Sequence, residues 1–157
     1  MKEMILTRGA VAIVDDEDYE KLKAHKWSAS ATGYAVRGFR RNGKSILVKM
    51  HREILGEQCA GLEVDHINGN KLDNRRENLR IATRSQNASN RPKYYKDSSS
   101  KYKGVRKAKG RKKWTARICV NRKDIYLGQY ETEEEAAMAY NKAAIQYHGQ
   151  YAKLNTF

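Results

Sequence analysis

A chain of 157 residues has room for one medium domain or two small ones, and each small one would have a thin core. Its formal charge of +14, from 32 Lys and Arg against 18 Asp and Glu, favours a polyanionic partner, with nucleic acid as the first candidate. Cys59 and Cys119 stand far apart without a CxxC, so neither a disulfide framework nor a structural zinc is expected, and no apolar run approaches the roughly 20 residues needed to span a bilayer.

Met1-Lys2-Glu3-Met4 lacks the apolar stretch of an export signal, so a cytoplasmic location is expected, without membrane association. Short apolar runs follow, Met4-Ile5-Leu6 and Val11-Ala12-Ile13-Val14. The acidic cluster Asp15 to Asp18 then predicts a helix start, with Tyr19, Leu22 and Trp27 on one core-facing side. Tyr34-Ala35-Val36 and Ile46-Leu47-Val48 flank Arg41-Asn42-Gly43-Lys44, and Asn-Gly between apolar runs predicts an antiparallel hairpin.

Residues 51–90 are dense in Asn, Asp, Arg and Gly and predict loop around short elements. Thr83-Arg84-Ser85-Gln86 has capping-box spacing for a short helix that Pro92 would end. Residues 91–100 are basic, Ser-rich and aperiodic, which reads as a linker and domain boundary. Beyond it Trp114, Ala116, Ile118 and Val120 alternate with Lys113, Thr115, Arg117 and Cys119, the pattern of a half-buried strand. Asn121 to Asp124 makes a turn, and Ile125 and Leu127 alternate with Tyr126 on the returning strand. Thr132-Glu133-Glu134-Glu135 begins a helix with an apolar stripe of Ala136, Tyr140, Ala143, Ala144 and Tyr147, ending at Gly149.

The residues suited to chemistry lie in Val64-Asp65-His66-Ile67-Asn68-Gly69-Asn70. Neighbours on a regular strand point to opposite faces, so Asp65 and His66 can serve one phosphate only where the strand bends or ends, and the Asn-Gly-Asn turn supplies that end. Asn87, in the first turn of the helix after Thr83, can turn its carboxamide oxygen toward Asp65. Two oxygen ligands and several waters suit a Mg²⁺-like ion, and a neutral imidazole at His66 can take a proton from water.

Asp65-His66-Ile67-Asn68-Gly69-Asn70, Asp73-Asn74-Arg75-Arg76-Glu77-Asn78-Leu79-Arg80, Thr83 and Asn87, in that order, resemble the HNH endonuclease motif of phage and intron homing enzymes. The resemblance implies a ββα-metal fold in which Asp65 and Asn87 hold one divalent ion, Mg²⁺ or Mn²⁺, His66 activates water and Asn78 braces the His-bearing loop. It also implies hydrolysis of a DNA phosphodiester to a 5′-phosphate and a 3′-hydroxyl, in a bacterial or phage-infected cell. His51 has an equivalent in similar nucleases, and packing or phosphate contact is expected of it. His25 and His148 are expected at the surface.

Residues 91–157 carry 16 basic residues against 6 acidic, which places the phosphate footprint in the C-terminal part. Lys113, Thr115, Arg117 and Tyr126 share the non-core sheet face, with Lys103 and Arg106 expected on a preceding strand, and such a face can enter a major groove. From Tyr102-Lys103-Gly104-Val105-Arg106 through Trp114, Tyr126-Leu127-Gly128, Ala136-Ala137, Tyr140, Ala143-Ala144 and Gly149 to Leu154-Asn155, the segment resembles the APETALA-type, ethylene-response-factor DNA-binding domain. In that family three strands backed by one helix lie in the major groove. Lys103 and Arg106 stand where the family places contacting Arg, and Tyr126 replaces a contacting Trp. Arg117 stands where Glu is usual, and Cys119 and Asp124 where Arg is usual, so the plant target does not carry over.

The expected architecture is therefore α+β. A strand/helix/hairpin region leads into a ββα-metal core within a nuclease domain 1–90, with the core at about 50–90. A linker 91–100 and a three-stranded antiparallel sheet packed on one helix over 101–157 follow. The expected partner is double-stranded DNA, bound as a monomer without a small-molecule cofactor. A non-catalytic DNA-binding regulator and an RNA-binding protein are the alternatives that the residues leave open.

Overall fold

The computed structural model describes residues 1–93, 98–107, 110 and 112–157. They divide into two compact units, Met1–Arg84 and Ser85–Phe157. The expected boundary lay a few residues later, and residues 94–97 of the expected linker lie outside the described residues. Among the described residues no helix is long and apolar enough to cross a membrane.

In the first unit, β1 (Lys2–Ile5) pairs antiparallel with β2 (Val11–Val14), and α1 (Asp16–Leu22) follows. Next come β3 (Ser28–Ala29), β4 (Ala35–Arg41) and β5 (Lys44–Lys49) in an antiparallel sheet of order β3-β4-β5. Asn42 and Gly43 both have positive φ, 51° and 74°, the tight primed turn that their dipeptide favours. α2 (Met50–Leu55) leads through a 3₁₀ turn to β6 (Glu63–His66), which pairs antiparallel with β7 (Leu79–Ala82) and places Asp65 opposite Arg80. Met4, Leu6, Ala12, Val14, Leu22, Trp27, Met50, Val64 and Leu79 form one core, with Trp27 Nε1 donating to Leu22 O at 2.8 Å.

The acidic cluster does more than begin α1. Asp15 is the N-cap residue yet makes no side-chain cap bond, and its Oδ2 accepts instead from Arg76 N at 2.8 Å. Buried Asp18 receives the Arg76 guanidinium through two bonds, 2.8 and 2.7 Å. Together with Ile13, which exchanges main-chain bonds with Leu72 and Asn74 (both 2.8 Å), these contacts pin the segment joining β6 to β7 onto the N-terminal elements.

In the second unit, α3 (Arg84–Ser89, beginning one residue before the division) precedes β8 (Val105–Arg106), β9 (Trp114–Val120) and β10 (Lys123–Tyr130), an antiparallel sheet of order β10-β9-β8. Asn121 and Arg122 form the β9–β10 turn with φ of 51° and 65°. α4 (Glu133–His148) opens on a complete capping box between Thr132 and Glu135 and ends at Gly149 (φ 52°). Its buried face is Ala136, Ala137, Tyr140, Ala143 and Ala144, and the small side chains let the helix lie close on Val105, Ala116 and Ile118. Tyr147, expected on this stripe, is 44% exposed because the buried face stops at Ala144.

Candidate active site and nucleic-acid interface

β6 ends at His66, where Gly69 N returns to His66 O at 2.9 Å, so Asp65 and His66 sit where the pleat gives way to a turn and both are buried. The following loop is held by its own amides. Asn78 Oδ1 accepts from Asn68 N (3.0 Å), and Asn78 Nδ2 donates to Asp73 O (2.8 Å). Asn68 Nδ2 donates to Asp73 Oδ2 (2.9 Å), while Arg75 grips Asp73 through Nε and Nη2, both 2.8 Å. That guanidinium holds the Asp73 carboxyl below the usual carboxylate range. Asparagine density, which predicts loop in the sequence, thus builds a self-bonded scaffold around His66.

Asn74, fully buried at 0% exposure, donates from Nδ2 to Leu72 O at 3.1 Å and so turns Oδ1 toward the imidazole, 3.3 Å from His66 Nε2. An amide oxygen only accepts, so Nε2 carries the proton and Nδ1 is the basic nitrogen, a tautomer assigned from the bonding pattern. Burial lowers the His66 pKa from 6.5, opposed by the bond to Asn74 and the charges of Asp65 and Asp73, which favours a neutral ring at pH 7. His51 of α2, 3% exposed, packs edge-on against His66, with centroids 5.1 Å apart and ring planes at 79°. Tyr34 closes the cluster at 5.3 Å from His51 and 5.9 Å from His66. Of the packing or phosphate contact expected of His51, the rings around it show the packing.

Burial pushes His51 down to about 3, so it stays neutral in the fold although it would be protonated near pH 6.5 in the open chain. A histidine with a depressed folded pKa contributes its full stability above the unfolded value and loses it as pH falls. The first unit should therefore weaken below pH 6.5, by at most about 1.4 kcal/mol per pH unit from this residue. Thermal melts from pH 7.5 to 4.5 check this, with a shallower fall in His51→Phe.

Asp65 Oδ2 accepts from Arg80 Nε at 2.8 Å and from Nη2 at 2.5 Å across the β6–β7 pair. Sequence reasoning assigned no role to Arg80, Asn74 or Tyr34. The Arg80 pairing was readable only once the strand register was known, and Asn74 resembles every other loop asparagine. Asn87 lies half-buried on α3, which groups with the second unit. Among the described residues no group of three or more His, Cys, Asp and Glu could hold a metal.

On the second unit, Arg106, Lys113, Thr115, Arg117 and Tyr126 line one shallow depression on the sheet, joined by Lys112 and Gln129, which sequence reasoning missed. Arg117 and Tyr126 are cross-strand partners, with the guanidinium 5.9 Å from the ring centroid and Arg117 Nε buried without a hydrogen-bond partner among the described residues. Lys113 pairs with exposed Glu131 at 2.5 Å. Lys103 departs from expectation: it sits in the turn before β8, off the sheet face, with its ammonium bonded to main-chain carbonyls.

The HNH endonuclease family profile matches residues 53–89 and the AP2 domain profile residues 100–150. An uncharacterized HNH endonuclease of Acanthamoeba polyphaga mimivirus is 33% identical over 153 residues, spanning 94% of this chain and 76% of that protein. An AP2-like ethylene-responsive transcription factor of Arabidopsis thaliana is 50% identical over 58 residues, 36% of this chain but only 17% of the factor. The solved structure of the HNH homing endonuclease I-HmuI, titled for DNA binding and cleavage, aligns with 81% of this chain and 78% of that one at 22% identity and a TM-score of 0.39. With a third of its residues shared along nearly its whole length with the viral relative, the chain belongs to the HNH endonuclease family, and an AP2 domain follows its nuclease core.

Proposed function

We propose that the chain hydrolyses phosphodiester bonds of duplex DNA with one divalent ion held by Asp65 and Asn87 and with His66 as general base. The observation that carries this reading is the buried Asp65–His66 pair at the end of β6, with the His66 tautomer set by Asn74. A carboxylate and a carboxamide are hard oxygen donors, and so few protein ligands suit an ion such as Mg²⁺ or Mn²⁺ that keeps several waters, so the residues fit the group. When bound, such an ion supplies positive charge to the phosphoryl oxygen and the departing 3′ oxygen.

The rest falls to the chain's own groups. His66 Nδ1 takes a proton from the attacking water, while Asn74 holds the far side of the ring and His51 and Tyr34 fix its plane. Asn78 and Asp73 keep the loop from collapsing onto the base. Attack on phosphorus with departure of the 3′ oxygen leaves a 5′-phosphate and a 3′-hydroxyl. The sheet face of the AP2 unit grips the duplex, with Arg106 and Arg117 reaching base edges or phosphates and Lys113, Thr115 and Tyr126 beside them.

Supercoiled plasmid incubated with the purified chain is expected to become nicked or linear with Mg²⁺ or Mn²⁺ and to stay intact with a chelator. A shift of the DNA in a gel with no change of topology in any ion would instead make the chain a DNA-binding regulator.

A further inference from the structure

Lys103 is fixed at both ends. Its main chain is clasped by Asn155, whose Oδ1 accepts from Lys103 N at 2.6 Å and whose Nδ2 donates to Lys103 O at 3.1 Å. Asn155 is held in turn by two bonds with Asn141 of α4, 2.8 and 2.9 Å. From this anchored position Nζ donates to Ser89 O at 2.5 Å and to Arg91 O at 2.7 Å. Ser89 is the last residue of α3, so its carbonyl is one of those that a helix end leaves without an intrahelical donor, at the negative pole of the helix.

A second lysine braces the same joint in the opposite sense: Lys93 Nζ donates to Ser100 O and, at 2.8 Å, to Tyr102 O. Ser100 and Asn90 are both buried. Burial, with the nearby charge of Lys153, pushes the Lys103 ammonium down to about 8.

We infer that Lys103 is a positioning residue which ties α3, and with it Asn87, to the AP2 unit, so that the helix offering the metal ligand and the sheet that grips DNA form one body. This rests on the proposed ligand role of Asn87. A helix of six residues is too short to hold its shape alone, and a metal ligand must be placed to within about 0.5 Å, so the cap on its last turn has direct consequences for the ion. The AP2 resemblance assigns this position to DNA contact, and the two roles predict different behaviour.

The test uses the full chain as Lys103→Met, Lys103→Gln and Lys103→Arg, with Asn87→Ala alongside. Three quantities are measured: duplex DNA affinity and its salt dependence in chelator, single-turnover cleavage against Mn²⁺ concentration at saturating DNA, and hydrogen exchange of the α3 amides without metal. Lys103→Met is expected to leave DNA affinity within about twofold, to raise the Mn²⁺ needed for half-maximal cleavage about tenfold or more, and to speed α3 exchange. Lys103→Gln, a second variant in case Met folds poorly, should show the same in smaller measure, and Lys103→Arg should restore much of the loss.

Weaker DNA binding with a salt slope reduced by about one, at unchanged α3 exchange, would overturn the inference and make Lys103 a phosphate contact. Exchange is read without metal, so the joint stands or falls by itself. Normal Mn²⁺ dependence in Asn87→Ala would remove the ligand assignment, and with it the claimed effect on the ion.

Discussion

Replacing His66 with alanine is expected to slow DNA cleavage by about 10²- to 10⁴-fold while leaving affinity for duplex DNA unchanged, since that is the span general-base catalysis contributes. The specificity of the loss comes from the surroundings. His66 sits at the end of a strand held by its main-chain pairing with β7 and by the Asp65–Arg80 ion pair, and the loop beyond it is bonded through Asn78, Asp73 and Arg75, with the imidazole adding one contact, to Asn74. The sheet face proposed to grip DNA belongs to a different compact unit. Removing the ring does open a space against His51 and Tyr34, so His66→Gln, which fills more of that space and still lacks a basic nitrogen, should show the same loss. Cleavage within tenfold of wild type in both variants would assign the base elsewhere.

The largest effect on stability is expected at Gly104. Its φ of +76° is one that side-chain-bearing residues avoid, and an added Cβ would lie 2.0 Å from Tyr140 Cδ2 and 2.6 Å from Arg117 O. The ring of Tyr140 is packed in the core under α4 and the carbonyl belongs to β9, so neither can yield cheaply. Left-handed strain of roughly 1–2 kcal/mol and overpacking of roughly 1–3 kcal/mol together predict a loss of about 2–5 kcal/mol for Gly104→Ala. A domain of this size has about 3–8 kcal/mol in total. Denaturant melts should therefore show the Trp114 transition moved sharply to lower denaturant with the Trp27 transition held, and DNA binding lost. Gly110→Ala is the control: it shares the positive φ, at 74°, but among the described residues meets nothing within 4 Å and should cost only the strain.

What could be read from the sequence was what short-range chemistry dictates. Asn42-Gly43 set a hairpin, Thr132 and Glu135 set the start of α4, and the alternation from Trp114 to Val120 set β9 with its buried face. Asp65 and His66 stand out as candidates because a polar turn follows them at once. The support around them was hidden because it is made over distance. Arg76 reaches back 58 positions to Asp18, Arg80 finds Asp65 only through strand register, and His51 and Tyr34 meet His66 from two other elements. Lys103 is the opposite case: it was expected on a strand, whereas it stands in the turn before β8, with its main chain bonded to Asn155, 52 residues along, and its ammonium on Ser89 O.

Cleavage by the proposed site requires that Asp65 and Asn87 share one cation. Mn²⁺ bound to the protein–DNA complex, counted by electron paramagnetic resonance under non-cleaving conditions, tests that directly in wild type, Asp65→Asn and Asn87→Ala. One tightly held ion per wild-type complex, weakened at least about tenfold by either substitution, is the predicted result. The same stoichiometry and affinity in all three proteins would contradict it.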